Sequence, residues 1–150
     1  MAHVRAQIRQ AVRTALIAGA TAAGARVFDA RVRPLQQSEL PAIIIEDGEE
    51  RSEAATIGRP IEVLSRDYAL RVTALVSTAN EDHAELLDDL CAEIETIVAR
   101  DAFNAGGAQY IYPTGFQPSI ADEGEYIVAR CTVEFTARYI TSQVNPTQIR

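Results

Sequence analysis

The chain has 150 residues, an apolar share of 47% and a formal net charge of −7, enough for one domain with a real core and too apolar for wholesale disorder. No apolar run approaches the ~20 residues of a membrane-spanning helix. The opening "MAHVRAQIRQAVRTALIAGATAAGA" is interrupted by Arg9, Gln10, Arg13 and Thr14, so it does not read as a signal peptide and a soluble protein made in the cytoplasm is expected.

The first element expected is a helix over residues 3–20. Val4, Ile8, Ala11, Val12, Ala15 and Leu16 recur at helical spacing, with Arg5, Arg9 and Arg13 as a stripe beside them. Gly19 and Gly24 bracket its end. "RVFDARV" (26–32) is a short strand candidate, and "PLQQSEL" is a polar connection to a strand over 41–46. Pro41 opens that strand without sacrificing a ladder donor, and Ile43, Ile44 and Ile45 are strand formers. An acidic excursion over 47–66 follows, with a turn at Gly58, Arg59 and Pro60, readable as a projecting hairpin or a disordered loop.

"DYALRVTALVST" (67–78) alternates, placing Tyr68, Leu70, Val72, Ala74 and Val76 on one face. Asn80 suits the N-cap of a second helix, and Glu81 and Asp82 suit its positive end. Leu87, Leu90, Cys91, Ile94, Ile97 and Val98 form its apolar stripe, and seven acids occupy most of the rest. "NAGGAQ" reads as a turn. "YIYPTGFQP" reads as a short strand stopped by Pro113 and Pro118. In the last strand, 125–141, Ile127, Ala129, Cys131, Val133, Phe135, Ala137 and Tyr139 share a face, opposite Arg130, Thr132, Glu134, Thr136 and Arg138. One core side and one wet side is an antiparallel pattern, and "SQVNPTQIR" (142–150) reads as a mobile tail. The sum is an α+β fold in a single domain, 1–150: a mostly antiparallel sheet covered by two helices, with a charged arm.

Charge is split along the chain. Residues 1–38 hold six arginines against Asp29, and the remainder holds eight arginines against twenty acids. Such a molecule can attract copies of itself head to tail, and lacks the concentrated basic surface that grips DNA. Arg5, Arg9 and Arg13 read either as a solvated flank or as a contact for acids of a neighbouring subunit, in the arm or on the second helix.

No catalytic signature is present: no G-x-S-x-G, Walker loop or G-x-G-x-x-G occurs. "AGGA" (105–108) precedes a strand, so no helix N-terminus follows it to hold phosphate. His83 reads as a boundary or core residue, and Cys91 lies two turns on, too far to share a metal with it. Cys91 and Cys131 read as buried free thiols. No cofactor and no metal are expected.

The basic amphipathic first helix, "ARVFDARVRPLQQSELPAIIIED", the acidic interruption, "RDYALRVTALVST", the acidic helix "DHAELLDDLCAEIETIV" and the long strand "YIVARCTVEFTARYI" together resemble the tail terminator proteins of long-tailed bacteriophages, the minor tail protein U family. The resemblance spans nearly the whole chain and rests on the order of elements. It implies a non-enzymatic subunit of a hexameric ring that caps the head-proximal end of a tail tube and joins it to the head. The implied partners are other copies, the tube protein and a head-proximal connector, with DNA passing through the lumen without sequence-specific binding and no membrane. The implied location is the tail–neck junction of the virion, reached from the host cytoplasm. Expected contact residues are Arg5, Arg9, Arg13, Glu49, Glu50, Arg51, Arg59, Asp82, Glu85 and Asp89. Another neck or connector protein, or a small-molecule-binding α+β domain, remains an alternative.

Overall fold

The computed structural model describes residues 2–30, 34–58, 61–79, 81–102, 106–122 and 127–150. Helix α1 (Val4–Ala18) buries Val4, Ile8, Val12, Ala15 and Leu16, the stripe the spacing predicts except for half-exposed Ala11. His3 caps it, its Nδ1 accepting from the Arg5 backbone N–H at 3.3 Å. Strand β1 (Val27–Asp29) runs parallel to β2 (Ala42–Ala54), and every other described pairing is antiparallel. The sheet order is β1-β2-β3-β5-β4, with β3 at Val63–Ser77, β4 at Tyr110–Asp122 and β5 at Ile127–Ser142, and β6 (Asn145–Ile149) also pairing with β5. Helix α2 (His83–Ile97) continues into a π-helical turn, Val98–Ala102.

Both helices bury their stripes in one core with the even-numbered face of β3 and the odd-numbered face of β5. Tyr68, Leu70, Val72, Val133, Phe135 and Tyr139 are all essentially inaccessible there. The α+β architecture is thus the one the alternation and helical spacing predict. Cys91 and Cys131 are free and buried between α2 and β5. Burial pushes the Cys91 thiol well above its ordinary range, and Cys131 adds to the shift.

The opposite face of the sheet has a smaller cluster. Leu35, Ala42, Leu75 and Val128 are buried there, with Phe28, Leu40 and Ile44 packed around them. The connection predicted as merely polar therefore folds back over the sheet through a 3-10 turn at Gln37–Glu39.

Several boundaries differ from the sequence expectations. The acidic arm is neither separate nor a loop for most of its length. β2 runs through Asp47 to Ala54, and β3 starts at Val63, so the excursion is the distal half of a long hairpin. β5 pairs with β3 along all of it, to Val63↔Ser142, so this half is sheet interior on the β3 side. Pro113 and Pro118 do not stop β4, because β4 lies at the sheet edge, where a missing donor costs no ladder bond. Where a mobile tail was expected, Asn145–Ile149 form β6. Ile127, expected inside, is half exposed because it is the first residue of β5, paired with Asp122 at the end of the edge strand β4. Part of the 26–32 strand, Asn80, Arg59 and Pro60 of the turn, the start of "NAGGAQ" and the start of the 125–141 strand lie outside the described residues.

Candidate functional site

The predicted contact residues fall into three groups. The first is a polar cluster on the helix-side face, where the distal hairpin passes beneath the start of α1. β2 pairs Asp47 with Leu70 and Glu50 with Tyr68, a register shift of one extra residue. That bulge brings Asp47 and Glu50 onto the same, inward face. Gly48 permits it, because a Cβ there would lie 2.9 Å from both Ala69 Cβ and the Ala69 carbonyl oxygen. Gly48→Ala should therefore destabilise the protein by about 1–3 kcal/mol, read as a lower thermal midpoint. An unchanged midpoint would mean that the hairpin shifts freely at the bulge.

Each inward carboxylate has several donors. Asp47 accepts from Arg9 Nη1 at 2.5 Å and from the Tyr68 hydroxyl. Glu50 accepts from Arg66 Nη1 at 2.9 Å, from Arg5 Nη1 at 3.4 Å and from the Tyr139 hydroxyl. Arg66 Nε also donates to Thr141 Oγ1 at 3.0 Å. The Glu50 and Arg66 side chains are only 12% and 13% exposed.

Burial, followed by the bond to Asp47, pushes the Tyr68 phenol far above its ordinary range. Burial and the bond to Glu50 do the same for Tyr139. Burial opposes ionisation of Asp47, but the Tyr68 and Arg9 hydrogen bonds outweigh it and hold its pKa below the usual carboxylate value. Asp47 is therefore held as a carboxylate, and both phenols stay protonated as donors to the inward acids. Its geometry fastens α1 to the hairpin. The arginine stripe and the arm acids do meet, but within one chain. Arg13 joins differently, its Nε donating to the Val27 carbonyl at 3.2 Å.

The second group lies on the other face. Glu49 and Arg51 are exposed and line a shallow groove of about 410 Å³ with Asp67, Arg71, Tyr112 and Glu134. Arg138 grips Asp67 there through two 2.6 Å bonds and stacks 5.4 Å from the Tyr110 ring centre. Arg71 Nε donates to Glu134 at 3.3 Å. Those pairs leave little net charge on this face.

The third group, Asp82, Glu85 and Asp89, is exposed on α2. With Glu81, Asp88, Glu93 and Glu95 it forms an acidic surface without one arginine between residues 81 and 99, and the rest of the chain balances at fourteen acids to fourteen arginines. The whole net charge is thus matched by residues 81–99, the start and body of α2. Arg59 lies outside the described residues.

Sequence reasoning missed the two phenols as donors, and missed a set of apolar side chains at the sheet's ends. Ile57 and Val144 are almost completely exposed, as is most of Ile120, and Phe116 is 56% exposed. The prolines of "YIYPTGFQPSI" were the available signal, since a proline-containing strand belongs at an edge, where one face has no cover. Among the described residues no cluster of His, Cys, Asp and Glu is placed to hold a metal, and no helix is long and apolar enough to cross a membrane. A depression between Leu40, Val76, Leu86 and Leu90 has about 250 Å³, below the roughly 300–1,000 Å³ of small-molecule sites. Two larger depressions lie open along helix surfaces.

No protein-family model matches this sequence, and no curated protein matches it. Among solved structures, the fold is similar to a chain in the virion of a native gene transfer agent particle. The TM-score is 0.58 at 15% sequence identity, over 90% of this chain and 96% of that one. At that identity the likeness is one of fold, and it extends across nearly the full length of both chains.

Proposed function

We propose that this protein is a structural component of a phage-like virion, a subunit of a ring that caps the head-proximal end of the tail tube, ends tube growth and presents the surface on which the head docks. The observation that carries the proposal is the full-length fold similarity to a chain of a gene transfer agent virion, taken with the order of elements that resembles tail terminators. The absence of a catalytic signature in the sequence fits a protein that works by surface complementarity. The ring is a homo-oligomer, a hexamer by the resemblance, between the tube protein on one side and a connector on the other. The acidic face of α2 suits the wall of a passage for DNA, because like charge keeps the duplex from sticking.

Electron microscopy of particles assembled without this protein tests the role. Tubes of abnormal, variable length are expected. Tails of normal length lying detached from full heads would instead assign it to head joining, and intact normal particles would overturn a virion role altogether.

A further inference from the structure

The first turn of α1 and the last strand meet at one corner of the molecule, and His3 sits at that junction. It is half-buried and caps α1, its Nδ1 accepting from the Arg5 N–H at 3.3 Å while its carbonyl accepts from the Ala6 and Gln7 N–H groups. Its ring stands edge-on to the Tyr139 ring, with centres 6.5 Å apart. One turn further along, the Gln7 side-chain amide donates to two carbonyls, Ala2 at 2.8 Å and Thr147 of β6 at 2.9 Å.

That clasp matters to β6 because little else holds it. None of its residues is buried, and it pairs with β5 at Thr141↔Ile149 and Ser142↔Asn145 with an irregularity between them. Few buried contacts and exposed hydrogen bonds mark a segment that opens at small cost.

The neutral imidazole is the form this corner accepts. Protonation would turn the Nδ1 acceptor into a donor facing the Arg5 N–H, and would add charge of the wrong sign at the positive end of α1. The groups around the ring are Arg5 of α1, Glu50 of β2, Arg66 of β3 and Tyr139 of β5, and β6 carries no titratable side chain. Glu50 favours a charged ring, but Arg66, Arg5 and the Tyr139 hydroxyl already bind it. Burial, then Arg5, holds the His3 pKa below its ordinary value against Glu50, and Arg66 adds to the shift.

We infer that His3 is an acid-sensitive latch: on protonation it leaves the cap, and Ala2, Gln7 and β6 come apart while α2 and the rest of the sheet stay folded. A lowered pKa means that the closed corner stays neutral where the open one, titrating at about 6.5, already binds a proton. Closure is therefore whole above about pH 6.5 and weakens as pH falls towards the closed value. Below that value the open fraction levels off, raised by the ratio of the two acid constants.

NMR of the full chain between about pH 4 and pH 8 tests the latch, since His83 on α2 is the only other histidine. The His3 imidazole should titrate below about pH 6.5, and the amide signals of Arg5, Gln7 and Thr147 should follow with the same midpoint. The Arg150 amide, just past β6, donates to the Ile140 carbonyl at 3.0 Å. Its hydrogen-exchange protection should fall about tenfold for each pH unit of His3 shift, while protection at Val72 and Ile94 in the core holds. His3→Asn keeps a good cap that cannot titrate and should abolish both responses. A His3 midpoint at or above about pH 6.5 would overturn the latch, as would a Thr147 signal that ignores it. An acid response that persists in His3→Asn would also overturn it, by assigning the opening to the Glu50 and Asp47 carboxylates.

Discussion

Glu50→Ala should cost about 3–5 kcal/mol of folding stability, the range for removing one partner of a buried ion pair. Glu50 is the shared acceptor for Arg66, Arg5 and the Tyr139 hydroxyl. Without it, the Arg66 charge keeps the neutral hydroxyls of Thr141 and, at 3.5 Å, Ser52, and no carboxylate, in a site where its side chain is 13% exposed. The Tyr139 hydroxyl loses its partner on a residue with no exposure at all. Arg5→Ala should cost under about 1 kcal/mol, since its side chain is 44% exposed at a 3.4 Å separation. Glu49→Ala, on the wet face, should leave stability unchanged. Urea denaturation checks all three, and the double variant Glu50→Leu/Arg66→Met should be more stable than Glu50→Ala because no charge is left stranded. A Glu50→Ala loss below about 1 kcal/mol would mean that water reaches Arg66 and that the cluster does not fasten α1.

The same cluster explains why the sequence left this segment open between a hairpin and a loop while the rest of the sheet was readable. β5 and the proximal half of β3 alternate strictly, because one face meets the helices and the other meets water. In "AIIIEDGEERSEA" the inward positions beyond Ile45 are Asp47 and then Glu50, three residues apart and acidic, so both the period and the polarity argue for a loop. What makes them strand residues is remote. Arg5 and Arg9 arrive from α1, Arg66 and Tyr68 from the returning strand, and Tyr139 from the far end of β5. No local pattern encodes such a meeting. The arginine stripe is legible as a stripe, but no local pattern says that Arg5 and Arg9 meet Glu50 and Asp47 of their own chain. The exposed row of Phe116, Pro118 and Ile120 was hidden by a different fact. Apolar residues in a strand read as core unless the position of the covering helix is known, and α2 lies over β3 and β5, not β4.

The cluster should also set the alkaline limit of the fold. Tyr68 and Tyr139 both have folded-state pKa values raised by burial and by donation to a carboxylate, against about 10 for tyrosine in the unfolded chain. A raised pKa means that the folded state keeps its proton where the unfolded state has lost it. The stability linked to each phenol is therefore whole below about pH 10 and falls as pH rises towards the folded pKa. Each contributes a slope of about 1.4 kcal/mol per pH unit, so the pair removes about 5 kcal/mol by pH 12, comparable with the whole stability of many domains. Urea titrations between pH 8 and pH 12 should show this steep loss, with unfolding and tyrosinate absorbance at 295 nm rising together for these two residues. Tyr68→Phe or Tyr139→Phe should each halve the slope. At neutral pH each should cost about 1 kcal/mol for the lost hydrogen bond, so the variant curves should start lower and cross the parent curve above pH 10. If both phenols ionise while the fold stays intact, the hydroxyls reach solvent and Glu50 is not sealed beneath α1. If the crossing is seen, the hydrogen bonds that fasten the hairpin at neutral pH are the ones that make it fail in alkali, because a phenolate facing Asp47 or Glu50 turns a donor into a second negative charge.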